Sequence, residues 1–282
     1  MIEKKITLRN GVEIPRMIIS SNHMNYKQLL DVVIEGVNSG FNGFDTSPSY
    51  KSETDLGKVI NKIIIDRGMK RQDFFVIDKV DKIPMLESNG NITSYVESSL
   101  EKLKMQYIDL LLIHWPLPNY YISTWKCMEK LHEKGLVKAI GVCNFRKRHL
   151  LSLLNADINV CPMVNQIELH PLRTAKGLVN FHKKYDIVTQ SYTPLCRMVE
   201  SVTKAKVIEE SARKYNKTKA QIILRWQIQN GYIPVFKTQR SKRVRENIDI
   251  FDFSLNDNEM SSISALNVDF KYFPESSCCP GF

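Results

Sequence analysis

The chain contains no GxG triplet, for its twelve glycines are never spaced that way. This excludes the GxGxxG turn of a Rossmann dinucleotide fold and the GxxxxGK[ST] phosphate loop. None of the six cysteines, at 127, 143, 161, 196, 278 and 279, is spaced as CxxC, so zinc and thioredoxin-like chemistry lack their pattern. A disulfide framework does not suit a chain of 282 residues with so few cysteines. The adjacent Cys278 and Cys279 are either two thiols in a tail or a redox pair. No apolar run approaches the ~18 residues of a membrane span. The opening MIEKKITLRNG has no apolar stretch of secretory type, so a cytoplasmic protein is expected. No Pro-, Gly- or Ser-rich linker divides the chain, and no repeat of ~20–50 residues stands out.

What is present is ordinary in amount: 43% hydrophobic residues and 25% charged ones fit a globular protein with a sizeable core. The net charge of +10 comes from 40 Lys and Arg against 30 Asp and Glu. Most basic residues are scattered, but FRKRH (145–149) and KTQRSKRVR (237–245) are concentrations. Such concentrations could signal nucleic acid, and the plainer reading of both is a solvated helix face.

An Asn10-Gly11 turn between two alternating runs predicts an N-terminal hairpin over 1–15. After it, strand-like and helix-like stretches alternate. The strands are RMIIS (16–20), FNGFDT (41–46), FFVIDKV (74–80), IDLLLIHW (108–115), VKAIGVCN (137–144), MVNQIE (163–168), IVTQSY (187–192) and YIPVFKT (232–238). Between them YKQLLDVVIEGVNSG, ITSYVESSLEKLKM and KAQIILRWQIQNG repeat apolar residues at three- and four-residue spacing. Eight such units predict an α/β fold, a single (β/α)8 TIM barrel over 1–282 with a tail at 268–282, rather than a doubly wound open sheet. Chemistry in such barrels sits where the strands end.

Three successive strands end in polar groups: Asp45 with Tyr50 close behind, then Lys79, then His114. Each alone reads as a snorkelling or packed side chain. On neighbouring strands of one face they form a unit. A buried lysine loses its proton unless a carboxylate such as Asp45 holds it, and an ammonium beside a phenol lowers the phenol pKa from ~10. His114 can hydrogen-bond a carbonyl oxygen and aim it at Tyr50. This is equipment for proton transfer at a carbonyl. A Tyr-xxx-Lys match at Tyr215 and Lys219 lacks the glycine fingerprint that would accompany it and is taken as chance.

FDTSPSYKSE (44–53) resembles the aldo-keto reductase motif FDTA-x-x-YGNE, with Asp45, Tyr50 and Glu53 in place. HWP (114–116), GLVKAIGVCNF (135–145), NQIELHP (165–171), SYTPL (191–195) and KTQRSKRVREN (237–247) follow in the family's order. GVCNF and NQIELHPL look most like bacterial members such as the 2,5-diketo-D-gluconate reductases. The resemblance implies NADP(H) bound across the barrel mouth, Tyr50 as proton donor, Lys79 and Asp45 tuning it, and His114 orienting a small carbonyl substrate. It implies Cys143, Asn144 and Gln166 at the carboxamide, Tyr192 against the nicotinamide ring, and Thr193 and Leu195 beside the cofactor. It also implies Lys237, Thr238 and Arg243 on a 2′-phosphate, with Glu246 and Asn247 at the adenine. No metal, nucleic-acid or membrane partner is implied, and a monomer is expected.

Two departures mark this chain. IISSN (18–22) stands where the family has GLGT and an aromatic, and Lys51 replaces the usual glycine after the catalytic tyrosine. Asn22, Trp115, Tyr120, Tyr121 and parts of the tail either wall the substrate pocket or pack the loops. The polar Asn22 and Lys51 point to a small polar carbonyl, sugar-like or acidic, and the expected substrates are small polar, dicarbonyl or sugar-derived carbonyls. The rivals are a reductase-like protein that binds NADP(H) without turnover and a barrel with hydrolytic chemistry.

Overall fold

The computed structural model of the chain describes residues 3–274. A short antiparallel hairpin comes first, β1 (Lys5–Thr7) and β2 (Glu13–Pro15), with Ile6 opposite Ile14. Gly11 in its loop holds φ at 85°, a left-handed backbone that side chains resist. Eight strands follow: β3 (Ile18–Ser20), β4 (Gly43–Asp45), β5 (Phe75–Val80), β6 (Ile108–Ile113), β7 (Val137–Cys143), β8 (Val164–Glu168), β9 (Val188–Tyr192) and β10 (Ile233–Phe236). All pair in parallel with their neighbours, and β10 closes on β3 to complete the barrel. Each strand lies inside the stretch assigned to it from sequence. No helix among the described residues is long and apolar enough to cross a membrane.

The helices follow from local chemistry as well as from their apolar stripes. Tyr26–Asn38 starts at Asn25, whose side chain accepts from the Gln28 N–H while the Gln28 side chain accepts from the Asn25 N–H. Thr218 and Gln221 make the same reciprocal cap at the head of Lys219–Gln229.

Because strand side chains alternate, each strand feeds two cores. Ile18, Ile77, Leu110, Leu112, Val164 and Ile233 point inward and share one cluster with Leu8 and Ile14 of the hairpin. Phe44, Val76, Leu111 and Val142 point outward and pack with helix residues such as Leu29, Ile60 and Leu131. The hairpin therefore plugs the N-terminal end of the barrel. The fit there is close: a Cβ on Gly43 would lie 2.6 Å from Ile18 Cδ1 and 3.1 Å from Pro15 Cγ. Each fully buried aliphatic side chain in these layers contributes about 2 kcal/mol.

The same alternation, continued upward, places Asp45, Lys79, His114, Cys143, Gln166 and Tyr192 at inner positions at or just beyond the C-terminal strand ends. This is the polar floor of the barrel mouth.

Candidate active site

At the centre of that floor is Lys79, fully buried in β5. Its Nζ donates to Asp45 Oδ2 at 2.5 Å, to the Thr46 carbonyl at 3.0 Å and to Tyr50 Oη at 3.1 Å. Asp45 Oδ2 also accepts from Gln166 Nε2 at 3.2 Å. Burial pulls the Lys79 ammonium down, but Asp45 and then Tyr50 more than offset it, and its pKa ends above the usual lysine range. The four residues expected to act together are thus within reach of one another, with the Tyr50 and His114 rings edge to face at 6.0 Å.

One expectation is corrected. Lys79 does pull the Tyr50 phenol down, but burial pushes it up by more, and the phenol ends above its usual range. Desolvation disfavours a phenolate more strongly here than the ammonium favours it, because Asp45 already neutralises that ammonium. Tyr50 is therefore a protonated donor at neutral pH.

Tyr50 stands on a single turn, Pro48–Tyr50, which ends at Lys51 with φ 57° and ψ 28°. A left-handed backbone at that position accounts for the glycine expected there, and Lys51 occupies it at a cost. His114 follows β6 directly, and its Nδ1 donates to Asp81. Asn144, itself left-handed at φ 64°, donates from Nδ2 to the His114 carbonyl at 3.0 Å and accepts from Tyr192 Oη at 2.8 Å. Burial pushes the Cys143 thiol up. A thiol kept protonated in this way is a poor nucleophile.

Above these groups lies a cleft with two lobes. The first, about 670 Å³, is lined by Tyr50, His114, Cys143, Asn144, Gln166 and Tyr192, and beyond them by Asn22, Trp115, Thr193 and Leu195. The second, about 640 Å³, is lined by Thr238, Glu246 and Asn247 among others. Leu195, Met198, Lys237 and Arg243 line both, so the two lie side by side. Lys237, Arg240 and Arg243 have no ion-pair partner among the described residues and face the second lobe. The buried atoms Asp45 Oδ1 and Asn22 Oδ1 have no hydrogen-bond donor either, and both residues line the first lobe. Unpaired cations at one end and unfilled acceptors at the other fit a long ligand with a phosphate end and a hydroxyl-bearing end.

The Aldo/keto reductase family matches residues 16–268. The chain belongs to that family. It is 37% identical over 276 residues to glyoxal reductase of Bacillus subtilis, covering 97% of this chain and 96% of the relative. It is 33% identical over 264 residues to methylglyoxal reductase DkgA of Escherichia coli K12, covering 93% of each. Among solved structures it is similar to MGS-M4, an aldo-keto reductase enzyme from a Medee basin deep-sea metagenome library. That match has a TM-score of 0.85 and 30% identity over 96% of this chain and 97% of the other. The aldo/keto reductase family implies a nicotinamide cofactor, and the two-lobed cleft suits one.

Of the residues expected at this reductase's site, Tyr120 is the exception. It precedes the helix Tyr121–Glu133 and packs against the outer core instead of the cleft, as Tyr121 does through Phe145 and His149. After Trp115 the loop turns onto the barrel wall, where Leu117, Tyr120 and Tyr121 pack against the outer core. From the tail, Phe273 does line the first lobe, edge-on to Tyr192 at 5.9 Å. Glu168 holds it there, accepting from the Tyr272 N–H at 2.6 Å and the Phe273 N–H at 3.1 Å. Arg197 packs over both rings, at 4.6 Å from Tyr272 and 5.3 Å from Phe273. Cys278 and Cys279 lie outside the described residues.

Sequence reasoning missed Asp81, Glu168 and Arg197. A signal for Asp81 was present, since it stands two residues after Lys79 and so continues the same inward alternation.

Proposed function

We propose that this aldo/keto reductase uses NADPH to reduce a small polar aldehyde or ketone, dicarbonyl or sugar-derived, to the alcohol. The observation that carries the reading is the cavity above Tyr50 and His114 lying side by side with one lined by Lys237, Arg240 and Arg243, which have no ion-pair partner among the described residues. A ribose 2′-phosphate is a dianion, for which an arginine fork and a lysine point charge are matched donors. Two relatives are named for glyoxal and methylglyoxal, both small dicarbonyls.

When bound, the nicotinamide supplies hydride to the carbonyl carbon. The chain supplies the rest. Tyr50 holds a proton on Oη and gives it to the carbonyl oxygen, completing the alcohol. Lys79, 3.1 Å from that oxygen, stabilises the phenolate left behind, and Asp45 keeps Lys79 charged. His114 orients the oxygen toward Tyr50. Asn144 and Gln166, with Cys143 beside them, would hold the cofactor's carboxamide and Tyr192 would lie against its nicotinamide ring, while Lys237, Thr238 and Arg243 would hold its phosphate end. Phe273 and Trp115 wall the substrate from water.

Following NADPH or NADH oxidation with glyoxal, methylglyoxal and keto sugars tests this. NADPH should exceed NADH in kcat/KM by tenfold or more. Arg243→Ala should remove most of that preference by raising the KM for NADPH alone. Equal use of the two cofactors by the unmodified protein would refute the phosphate assignment, and full activity of Tyr50→Phe would refute the proton donor.

A further inference from the structure

We propose that the outer wall of the barrel carries a docking groove for an acidic protein segment, formed between the helix Lys147–Leu154 and the helix Lys176–Lys184. This goes beyond the reductase reading and does not rest on it, because no residue of the groove lines either lobe of the cleft. It gives a use to FRKRH (145–149), the basic concentration that the cleft leaves aside.

The groove holds about 460 Å³. Lys147 and Leu151 line it from one helix, and Gly177, Phe181, Lys184 and the capping Tyr185 line it from the other. Phe181 and Tyr185 form its aromatic side, with ring centroids 4.5 Å apart. Lys147 Nζ stands over the Phe181 ring at 5.9 Å, and Lys184 Nζ over the Tyr185 ring at 5.5 Å. An apolar contact surface is thus bracketed by one ammonium from each helix.

Neither helix contains an aspartate or a glutamate, while together they expose Lys147, Arg148, Lys176, Lys183 and Lys184. The acids that follow them in sequence, Asp157 and Asp186, pair with Lys126 and Arg9. The four lysines have no ion-pair partner among the described residues. Fold stability does not account for this pattern. Lys147 and Arg148 open their helix, at the end where the helix dipole disfavours cations. Gly177 stands in the first turn of the other helix, where a glycine gives up more backbone freedom than any other residue. A Cβ there would meet nothing within 4 Å, so packing does not call for glycine either. What Gly177 does is leave the groove open.

The occupant that matches is a segment with an apolar side chain set between carboxylates. The side chain enters against Leu151 and Phe181, and the carboxylates meet Lys147 and Lys184. Nucleic acid matches less well. Single strands stack their bases on open ring faces, whereas Phe181 is buried and each ring has a lysine over it. Neither helix exposes a large apolar side chain to a lipid surface. Exposed ion pairs are individually weak and are screened by salt, so the complex is a salt-sensitive, transient one.

The test titrates the full chain, by fluorescence anisotropy at low ionic strength, against a fluorescein-labelled peptide of glutamates around one central phenylalanine. A labelled oligothymidylate is the competing probe. The peptide should bind, and its affinity should fall as salt rises. Replacing its phenylalanine by glycine should weaken it about tenfold, a result that needs no change to the protein. Lys147→Glu with Lys184→Glu should weaken the phenylalanine peptide about tenfold or more. Gly177→Leu fills the groove without altering charge and should weaken it by about as much. Lys27→Glu with Lys134→Glu, the same charge change at exposed sites elsewhere, should leave it unchanged. Absence of peptide binding overturns the proposal. So does binding that Gly177→Leu leaves intact or that the remote reversal weakens equally, since the patch is then a diffuse charge effect. Tighter binding of the oligothymidylate than of the peptide, lost on reversing Lys147 and Lys184, assigns the face to nucleic acid and also overturns it.

Discussion

Lys79→Met offers a quantitative test of the buried pair. Methionine keeps the length and apolar stem of the side chain while removing three hydrogen bonds, to Asp45, Thr46 and Tyr50. At 2.5 Å the attraction between the two charges is about 6 to 7 kcal/mol for an effective dielectric near 20. Desolvating the two ions costs several kcal/mol each, so the intact pair contributes little net stability. Removing only the cation leaves Asp45, 1% exposed, with Gln166 Nε2 as its one remaining side-chain donor among the described residues. The expected loss is about 3 to 5 kcal/mol, read from urea unfolding. The double variant Asp45→Asn/Lys79→Met leaves neither charge of this pair and should regain most of that stability. Its activity should stay down by about 10²- to 10⁴-fold, because nothing then stabilises the phenolate of Tyr50. Stability and turnover should therefore separate in the double variant. If Lys79→Met unfolds within 1 kcal/mol of the unmodified protein, the reasoning about this pair is wrong.

Three further outcomes are expected. Lys51→Gly relieves a left-handed lysine at φ 57° and should stabilise the protein by about 0.5 to 1 kcal/mol, seen as a higher urea midpoint; a decrease would contradict the strain argument. Glu168→Gln places an amide against the Tyr272 and Phe273 N–H donors, so the KM for the carbonyl should rise about tenfold with a smaller change in kcat, and an unchanged KM would show that the tail is held by other contacts. Burial pushes His182 from the usual 6.5 down to about 4, while Asn165 donates to its Nε2 and its Nδ1–H donates to Thr189. The unfolded chain binds that proton first, so the stability this neutral ring preserves is complete above pH 6.5 and is lost as pH falls toward 4. The span corresponds to about 3 kcal/mol, and His182→Gln should flatten the fall in thermal midpoint over that window.

The barrel was legible because its eight strands are short apolar runs separated by helices with clear apolar stripes. Asp45, Lys79 and His114 were legible because polar groups at the ends of buried strands have few other uses. What escaped was set by packing between distant segments. Tyr120 looks like a pocket aromatic by its place after HWP, and only the path of the loop shows it turned into the wall. Glu168 reads as one more polar residue of NQIELHP until the tail returns to it from 104 residues further on. The acidity of Tyr50 was misjudged because a sequence names the charged neighbour but not the depth of burial, and at this position burial is the larger effect.

The hairpin seal has a kinetic corollary. Leu8 and Ile14 pack beneath the apolar layers, so hydrophobic side chains fill the end of the barrel below the Asp45–Lys79 couple. If Tyr50 is the donor proposed above, each hydrogen ion it gives up is replaced through the same doorway that admits the reactant. That mechanism would tie reprotonation to product departure, so that a new turnover waits for the mouth to clear.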